Sequence, residues 1–580
     1  MHATIFKVAF PIHDDVHGVF MTLPRHTSTK EGDAQSVGRR ARTASTSEKG
    51  LLEMSKWMTA PAPRQLIGAH RLIIASHRGP VEYQLSQEHT LKPHRGVGGV
   101  VTALIDAGSY MDKTWVAMAM TEGDRLALKK ARQDGDLLSS PLPGQTIHLH
   151  YVAIPQSAYH KHYEQISNQL LWFFQHYLYD PTQDAAFAGQ VQDAWTNGYG
   201  VANRAIADAV CDEIDREATP PVVMLHDYHL YLAPGIIRQR RPSVIMQQFI
   251  HIPWPEVRYW LFLPSNIVQA IYRGLVGNDI VGFQTERDAR NFLEGVRILL
   301  EGAVVDFEVG AVWWRGRRTQ VRAYPISISV TEERRTVMSA AGRRAAESIR
   351  PLLRAYTIMR VDRIEPTKNI IRGFHAYDLM LEAHPELHGE VTFLAFLVPS
   401  RQTLAIYQRY RARVLHVMDT VNRKYGTEDW TPIHAFCGND RTRALAAMQW
   451  YDVLLVNPIM DGMNLVAKEG PVVNQRNGVL VLSRTAGAFQ ELARGAIPLS
   501  PTDIVETAEG LYRGLTMSQE ERRQKATLAR QAVESNDLNA WLTRQMSDLD
   551  ALVDRAHSAP LPIKKPTPIE SAEKVTVSAS

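Results

Sequence analysis

Cysteine is nearly missing: Cys211 and Cys437 are the whole complement of 580 residues. That count excludes a disulfide framework and a cysteine-based zinc site, and it fits a reducing, cytoplasmic compartment. Long hydrophobic runs are missing too, so no membrane-spanning helix is expected. Charge of one sign is not in excess, since 65 Lys+Arg against 61 Asp+Glu leave a net +4. Nucleic-acid binding would need a clustered basic stripe. Of the two candidates, Arg39-Arg-Ala-Arg42 is short, and Arg522-Arg-Gln-Lys525 directly follows Glu520 and Glu521 and reads as a solvated helix face. Neither nucleic acid nor membrane is therefore an expected partner.

What remains is a chain of globular composition, 45% hydrophobic and 22% charged, too long for one ordinary core. Strand-length apolar runs at 71–76, 221–225, 244–250 and 279–283 alternate with helical patterns, which implies α/β architecture with a parallel sheet. The pattern restarts near Ala355 and continues at 391–397, 452–456 and 479–482, so a domain boundary is expected between Pro325 and Arg354. Gly96-Val-Gly-Gly99 opens an apolar helix, where a glycine turn can lie against phosphate.

Asp461-Gly-Met-Asn-Leu-Val-Ala-Lys-Glu469 follows the apolar run Tyr451-Asp-Val-Leu-Leu-Val-Asn457 and reads as a loop from a strand into a helix. Open α/β sheets bind ligands at that end. Asp461 supplies a carboxylate, Gly462 allows close backbone approach, and Glu469 adds a second carboxylate about two turns along. Amides at a helix start hold anions and carboxylates grip hydroxyls, so the loop suits a ligand that is part phosphate, part sugar. An ordinary turn with a solvated acid is the alternative. Arg360-Val-Asp-Arg-Ile-Glu-Pro-Thr-Lys368 follows an expected strand at 355–359 and puts Arg363 and Lys368 on a turn broken by Pro366. Two fixed cations there can neutralise a diphosphate leaving group; otherwise they are surface charges beside Asp362 and Glu365.

With Ser76-His-Arg78, Gly98-Gly99, Tyr163-Glu-Gln-Ile-Ser-Asn168 and Trp172, His226-Asp-Tyr-His-Leu230, His251-Ile-Pro-Trp-Pro255, Gly282-Phe-Gln-Thr-Glu286 and Ser400-Arg401, these segments resemble the trehalose-6-phosphate synthase family of retaining glycosyltransferases in order and spacing. The likeness runs from about Arg71 to Leu549. It implies two Rossmann-like domains facing across a cleft, the GT-B arrangement. The expected division is a disordered extension 1–66, an acceptor domain 67–328, a nucleotide-sugar domain 329–536, a helix 537–558 crossing back, and a disordered tail 559–580. The implied reaction moves glucose from a nucleotide-diphosphate glucose to glucose 6-phosphate, giving trehalose 6-phosphate. A nucleotide sugar and a sugar phosphate are the implied small-molecule partners; no cofactor or metal is implied, and a homo-oligomer is left open.

The resemblance also assigns roles. Arg78, Tyr163, Trp172 and Arg401 match positions that hold the acceptor phosphate, and their chemistry fits. Asp227 is implied to contact the acceptor and His251 the donor sugar. Arg363 and Lys368 would stabilise the leaving phosphate, which takes up the acceptor's proton; Asp461 and the amides of Gly462, Met463 and Asn464 would position the sugar. Gly99 and Leu465 complete the implied donor site, with Glu469 on the ribose. His226-Asp-Tyr-His229 is too tightly spaced for an easy metal site, and Asp134-Gly-Asp136 reads as a solvated loop.

There are departures. Val116-Ala-Met-Ala-Met120 lacks the second tryptophan that the family places near the acceptor, and Met118 or its neighbour is expected to take that place. Residues 115–125 and 251–260 look closer to validoxylamine 7'-phosphate synthase, a relative that couples cyclitols. Another phosphorylated acceptor, glycerol 3-phosphate or a cyclitol phosphate, is therefore the first alternative. An inactive regulatory subunit is the second, and an intact leaving-group clamp argues against it.

Overall fold

Apolar runs without polar alternation form strands covered on both faces, and such strands pair in parallel. Leu72–Ser76, Val222–His226, Ile280–Phe283, Val453–Val456 and Val479–Ser483 are buried at every position. The computed structural model describes residues 70–86, 90–96, 104–105, 113–134, 138–142, 147–180 and 187–557. The expected extension 1–66, the tail 559–580, Gly99 and residues 135–136 lie outside the described residues.

Two sheets carry the architecture. In the larger one, of ten strands, Ile147–Val152, Lys113–Met118, Leu72–Ser76, Val222–His226, Ile245–Phe249 and Ile280–Phe283 lie side by side and all run parallel. Arg317–Ala323 continues it in parallel, and Ala311–Trp314 and Val304–Asp306 add an antiparallel edge. In the smaller sheet Ile433–Cys437, Val391–Val398, Tyr356–Arg363, Val453–Val456, Val479–Ser483 and Ala496–Leu499 are all parallel. Leu138–Ser139 completes the larger sheet, antiparallel at its other edge. The six strands from Ile147–Val152 to Ile280–Phe283, like the six of the smaller sheet, have the doubly wound order 3-2-1-4-5-6. Each therefore has a switch point, between Leu72–Ser76 and Val222–His226 in one and between Tyr356–Arg363 and Val453–Val456 in the other. Ligands bind beyond the carboxyl ends of the strands at such points.

Residues 324–329 have no regular structure and lead from the larger sheet to the helix Val330–Met338. Lys468 Nζ donates to the Ile326 carbonyl at 2.8 Å and pairs with Glu491, fastening this connection to the second half. The helix Leu538–His557 returns to the larger sheet: Trp541 Nε1 donates to the Tyr324 carbonyl, and Gln247 Nε2 donates to Gln545 at 2.6 Å. All described residues belong to one compact unit, and none of their helices is long and apolar enough to cross a membrane.

Two expectations need correction here. Arg522 is not on a solvated face: it is buried, pairs with Asp452 at 2.9 Å and donates to the carbonyls of Gly514 and Leu515. Its helix, Gln519–Ser535, turns Arg522 inward with Ala526, Ala529 and Val533, and the guanidinium ties it to the end of the helix Ile504–Thr516 and to the start of the strand Val453–Val456. Met118 does not reach the cleft. It is buried with Ile73, Val116, Leu225 and Met246 on one face of the larger sheet, because strand alternation sends it there.

Candidate active site

One cleft of about 1460 Å³ is lined by residues from the carboxyl ends of both sheets. Of the residues singled out in the sequence, Arg78, Tyr163, Trp172, Asp227, His251, Arg363, Lys368, Arg401, Asp461, Met463, Asn464, Leu465 and Glu469 all line it. Gly462 lies just behind. A Cβ there would clash with the His251 carbonyl oxygen, so only glycine lets the two backbones approach this closely. None of residues 115–120 lines the cleft.

On one side, guanidinium groups gather on an indole. Arg401 lies over the Trp172 ring at 4.2 Å and Arg363 at 5.2 Å, measured to the ring centroid. Both arginines also share Glu365, whose side chain is fully buried: Arg363 pairs with it at 3.0 Å and Arg401 at 2.9 Å. Burial alone would raise the Glu365 carboxyl, but Arg363, then Arg401, outweigh it, and the net shift is downward. A fixed anion thus holds two cations apart and aimed. Arg401 donates further to Tyr407 Oη at 2.7 Å and to Tyr228 Oη at 3.4 Å, and Tyr228 donates to Asn168. Trp172 Nε1 is buried and has no acceptor among the described residues.

Tyr163 and Asn168 belong to a helical run from Gln156 to Gln175 whose middle, Lys161–Leu171, is wound as π-helix. Its wider turn puts residues five apart on one face, and Asn168 Nδ2 donates to the Tyr163 carbonyl. Arg78 Nη2 donates to Tyr163 Oη at 3.3 Å. Burial would raise the Tyr163 phenol, yet Arg78 and Arg401 bring it below its usual range. The four residues assigned to phosphate therefore stand together, three from the first half and Arg401 from the second.

On the other side Lys368 Nζ meets Asp461 Oδ2 at 2.5 Å, and Asn464 Nδ2 donates to the same oxygen at 3.0 Å. Burial opposes ionisation of Asp461, but Lys368 prevails and its carboxyl is lowered. Two details differ from the expected geometry. The strand expected at 355–359 runs on as Tyr356–Arg363, in register with Val391–Val398, so Arg363 ends a strand rather than standing in a turn. Pro366 does break the chain, into a single 3₁₀ turn Pro366–Lys368. Glu469 sits in the first turn of the helix Val466–Val473, closer to its start than expected, because the chain stays irregular through Asn464, whose φ is 78°. The backbone amides of Met463, Asn464 and Leu465 make no hydrogen bond to another described residue.

Asp227 and His251 lie between these groups. The His251 amide donates to Asp227 Oδ1 at 3.2 Å, and a ring nitrogen of His226 lies 3.3 Å from His251 Nε2. Burial lowers the His251 imidazole well below its usual range, so it is neutral near pH 7. Burial pushes the Asp227 carboxyl up to about 7 against amide hydrogen bonds that favour its charge. Asp227, Arg401 and Asn464 all have left-handed φ, a costly conformation for non-glycine residues that clusters at working sites. Sequence reasoning missed Glu365, Tyr228 and Tyr407 as parts of this site.

Residues 70–551 match Glycosyltransferase family 20. Validamine 7-phosphate valienyltransferase of Streptomyces hygroscopicus subsp. jinggangensis is 27% identical over 483 residues, 83% of this chain and 94% of that protein. Trehalose-6-phosphate synthase of Escherichia coli is 32% identical over 399 residues, 68% of this chain and 81% of that protein. The E. coli trehalose-6-phosphate structure bound with UDP-2-fluoro glucose superposes with a TM-score of 0.70 at 27% identity, covering 83% of this chain and 99% of that one. The UDP-forming alpha,alpha-trehalose-phosphate synthase of Burkholderia xenovorans in complex with glucose-6-phosphate gives 0.68 at 27% identity, with coverage of 83% and 99%. The chain belongs to glycosyltransferase family 20 and is a glycosyltransferase with the GT-B fold.

Proposed function

We propose that this enzyme moves a glucosyl group, with retention, from a nucleotide-diphosphate glucose to glucose 6-phosphate, giving trehalose 6-phosphate. The observation that carries the reading is the Arg401 guanidinium stacked on Trp172, with Arg78 hydrogen-bonded to Tyr163 beside it. A phosphate dianion satisfies such a group with charge-assisted hydrogen bonds. In the reaction the bond from C1 to the diphosphate oxygen breaks as the acceptor hydroxyl oxygen bonds to C1 on the same face. The acceptor's proton passes to the departing phosphate. Arg363 and Lys368 stabilise the charge that develops there. Asp461, set by Lys368 and Asn464, holds the donor sugar. Neutral His251 offers a ring nitrogen to a donor hydroxyl, and Glu469 takes the ribose.

A second reading keeps the fold and the phosphate clamp but changes the rest of the acceptor to a cyclitol phosphate. It is favoured by Met118 lying in the core, where a cleft-facing side chain was expected, and by the likeness to the valienyltransferase. Incubating the enzyme with a panel of nucleotide glucoses and phosphorylated acceptors, then reading product mass, separates the two. A disaccharide phosphate made only with glucose 6-phosphate upholds the first reading, and product only with a cyclitol phosphate replaces it by the second.

A further inference from the structure

Beside Glu469 stands a second buried acid that no motif pointed to. Glu333, on the helix Val330–Met338, is 4% exposed. Arg441, the first residue of the helix Arg441–Met448, donates from one nitrogen to Glu333 Oε1 and, at 3.5 Å, to Glu469 Oε1. The guanidinium is half-exposed, and all three side chains line the cleft. Glu333 Oε2 is buried without a partner among the described residues.

We propose that Arg441, anchored by Glu333, is a positioning residue for the donor nucleotide: it sets its cation between the two buried acids, favours the charged form of Glu469 and aims it at the ribose diol. The inference rests on the reading that Glu469 binds the ribose. Two carboxylates this close cannot both ionise without a cation between them. Both carboxyls are raised on balance: burial favours the neutral form of each, the Glu469 charge adds to this at Glu333, and Arg441 opposes it at both. A ribose diol donates hydroxyl protons, so it needs an acceptor-only carboxylate rather than a protonated acid. The short bond goes to Glu333, and the long contact to one oxygen of Glu469 leaves that carboxylate able to accept from a ligand.

The test is calorimetric titration of the full chain with UDP and GDP and with their 2′-deoxy counterparts. A hydrogen bond to a charged group should make the ribonucleotide of the accepted base bind about tenfold tighter than its deoxy form. Arg441→Ala should abolish that preference while leaving acceptor affinity unchanged. The double variant Arg441→Ala/Glu333→Gln removes the cation and the competing acid together, and should recover much of the preference, which a merely structural role would not produce. Full 2′-hydroxyl preference in Arg441→Ala overturns the inference alone. Wild type binding neither nucleotide, or Glu469→Ala keeping the preference, overturns the donor reading as well.

Discussion

Lys368 combines a structural ion pair with the proposed role at the leaving phosphate. Its amine offsets the burial of Asp461 and points into the cleft. Lys368→Ala should lower turnover about 100-fold, the scale of one lost electrostatic stabiliser. It should also lower Tm at pH 7. The folded Asp461 carboxyl lies below its unfolded value of 3.8, so its pairing adds stability above that value and loses it as pH falls through the folded pKa. The Tm deficit should therefore shrink in acid. Near-normal turnover in the folded variant would remove the Arg363/Lys368 pair from the mechanism. Asp227 has the opposite sign. Its carboxyl is raised from 3.8 to about 7, so wild-type stability declines as pH rises across that window. The Tm gain of Asp227→Asn over wild type should grow between pH 4 and pH 8; a gain that stays flat with pH would contradict the burial of this acid. Arg401 and Trp172 were legible in the sequence only because motifs elsewhere gave them a context. Glu365 was not, since an acid among loop charges reads as solvated, and only the tertiary fold lays Arg363 and Arg401 on it.

Between residue and molecule, the element that matters most is the Asp461 loop. Its position depends on Gly462 passing against the His251 carbonyl and on Gly487 passing against Gly462. Gly487 also donates its amide to the Asp461 carbonyl at 3.0 Å. Gly462→Ala should push this loop away from the first half, and a displacement of about 1 Å at a reacting centre costs roughly 100-fold in rate. Steady-state kinetics with a thermal scan checks this; wild-type kcat in the variant would show that the close approach is dispensable. Strand and loop were readable here because apolar runs and Asp-Gly signals are local. The true start of the helix at Val466 was not, because it follows from the left-handed backbone at Asn464. Nor was the π-winding of Lys161–Leu171, whose residues satisfy ordinary helical periodicity equally well.

Across the whole molecule, the cleft exists because two sheets of the same winding order present their switch points to one space. Alternating strands and helices announce parallel sheets, but not which strands are neighbours; that depends on long-range pairing such as Leu72–Ser76 with Val222–His226. The halves are joined by residues 324–329 and again by Leu538–His557, whose Asp548 accepts from Tyr324 at 2.5 Å. The proposed phosphate clamp spans both halves, with Arg78 from one and Arg401 from the other. Its measurement is titration of glucose 6-phosphate and glucose against wild type and Arg401→Ala, with nucleotide-sugar binding followed alongside. Each charge-assisted contact adds about 1.5–3 kcal/mol, so wild type should strongly prefer the phosphorylated sugar. Arg401→Ala should lose most of that preference while keeping its affinity for the nucleotide sugar. Equal use of phosphorylated and free acceptors by wild type would contradict the phosphate clamp, and with it the assignment of this cleft to a sugar phosphate.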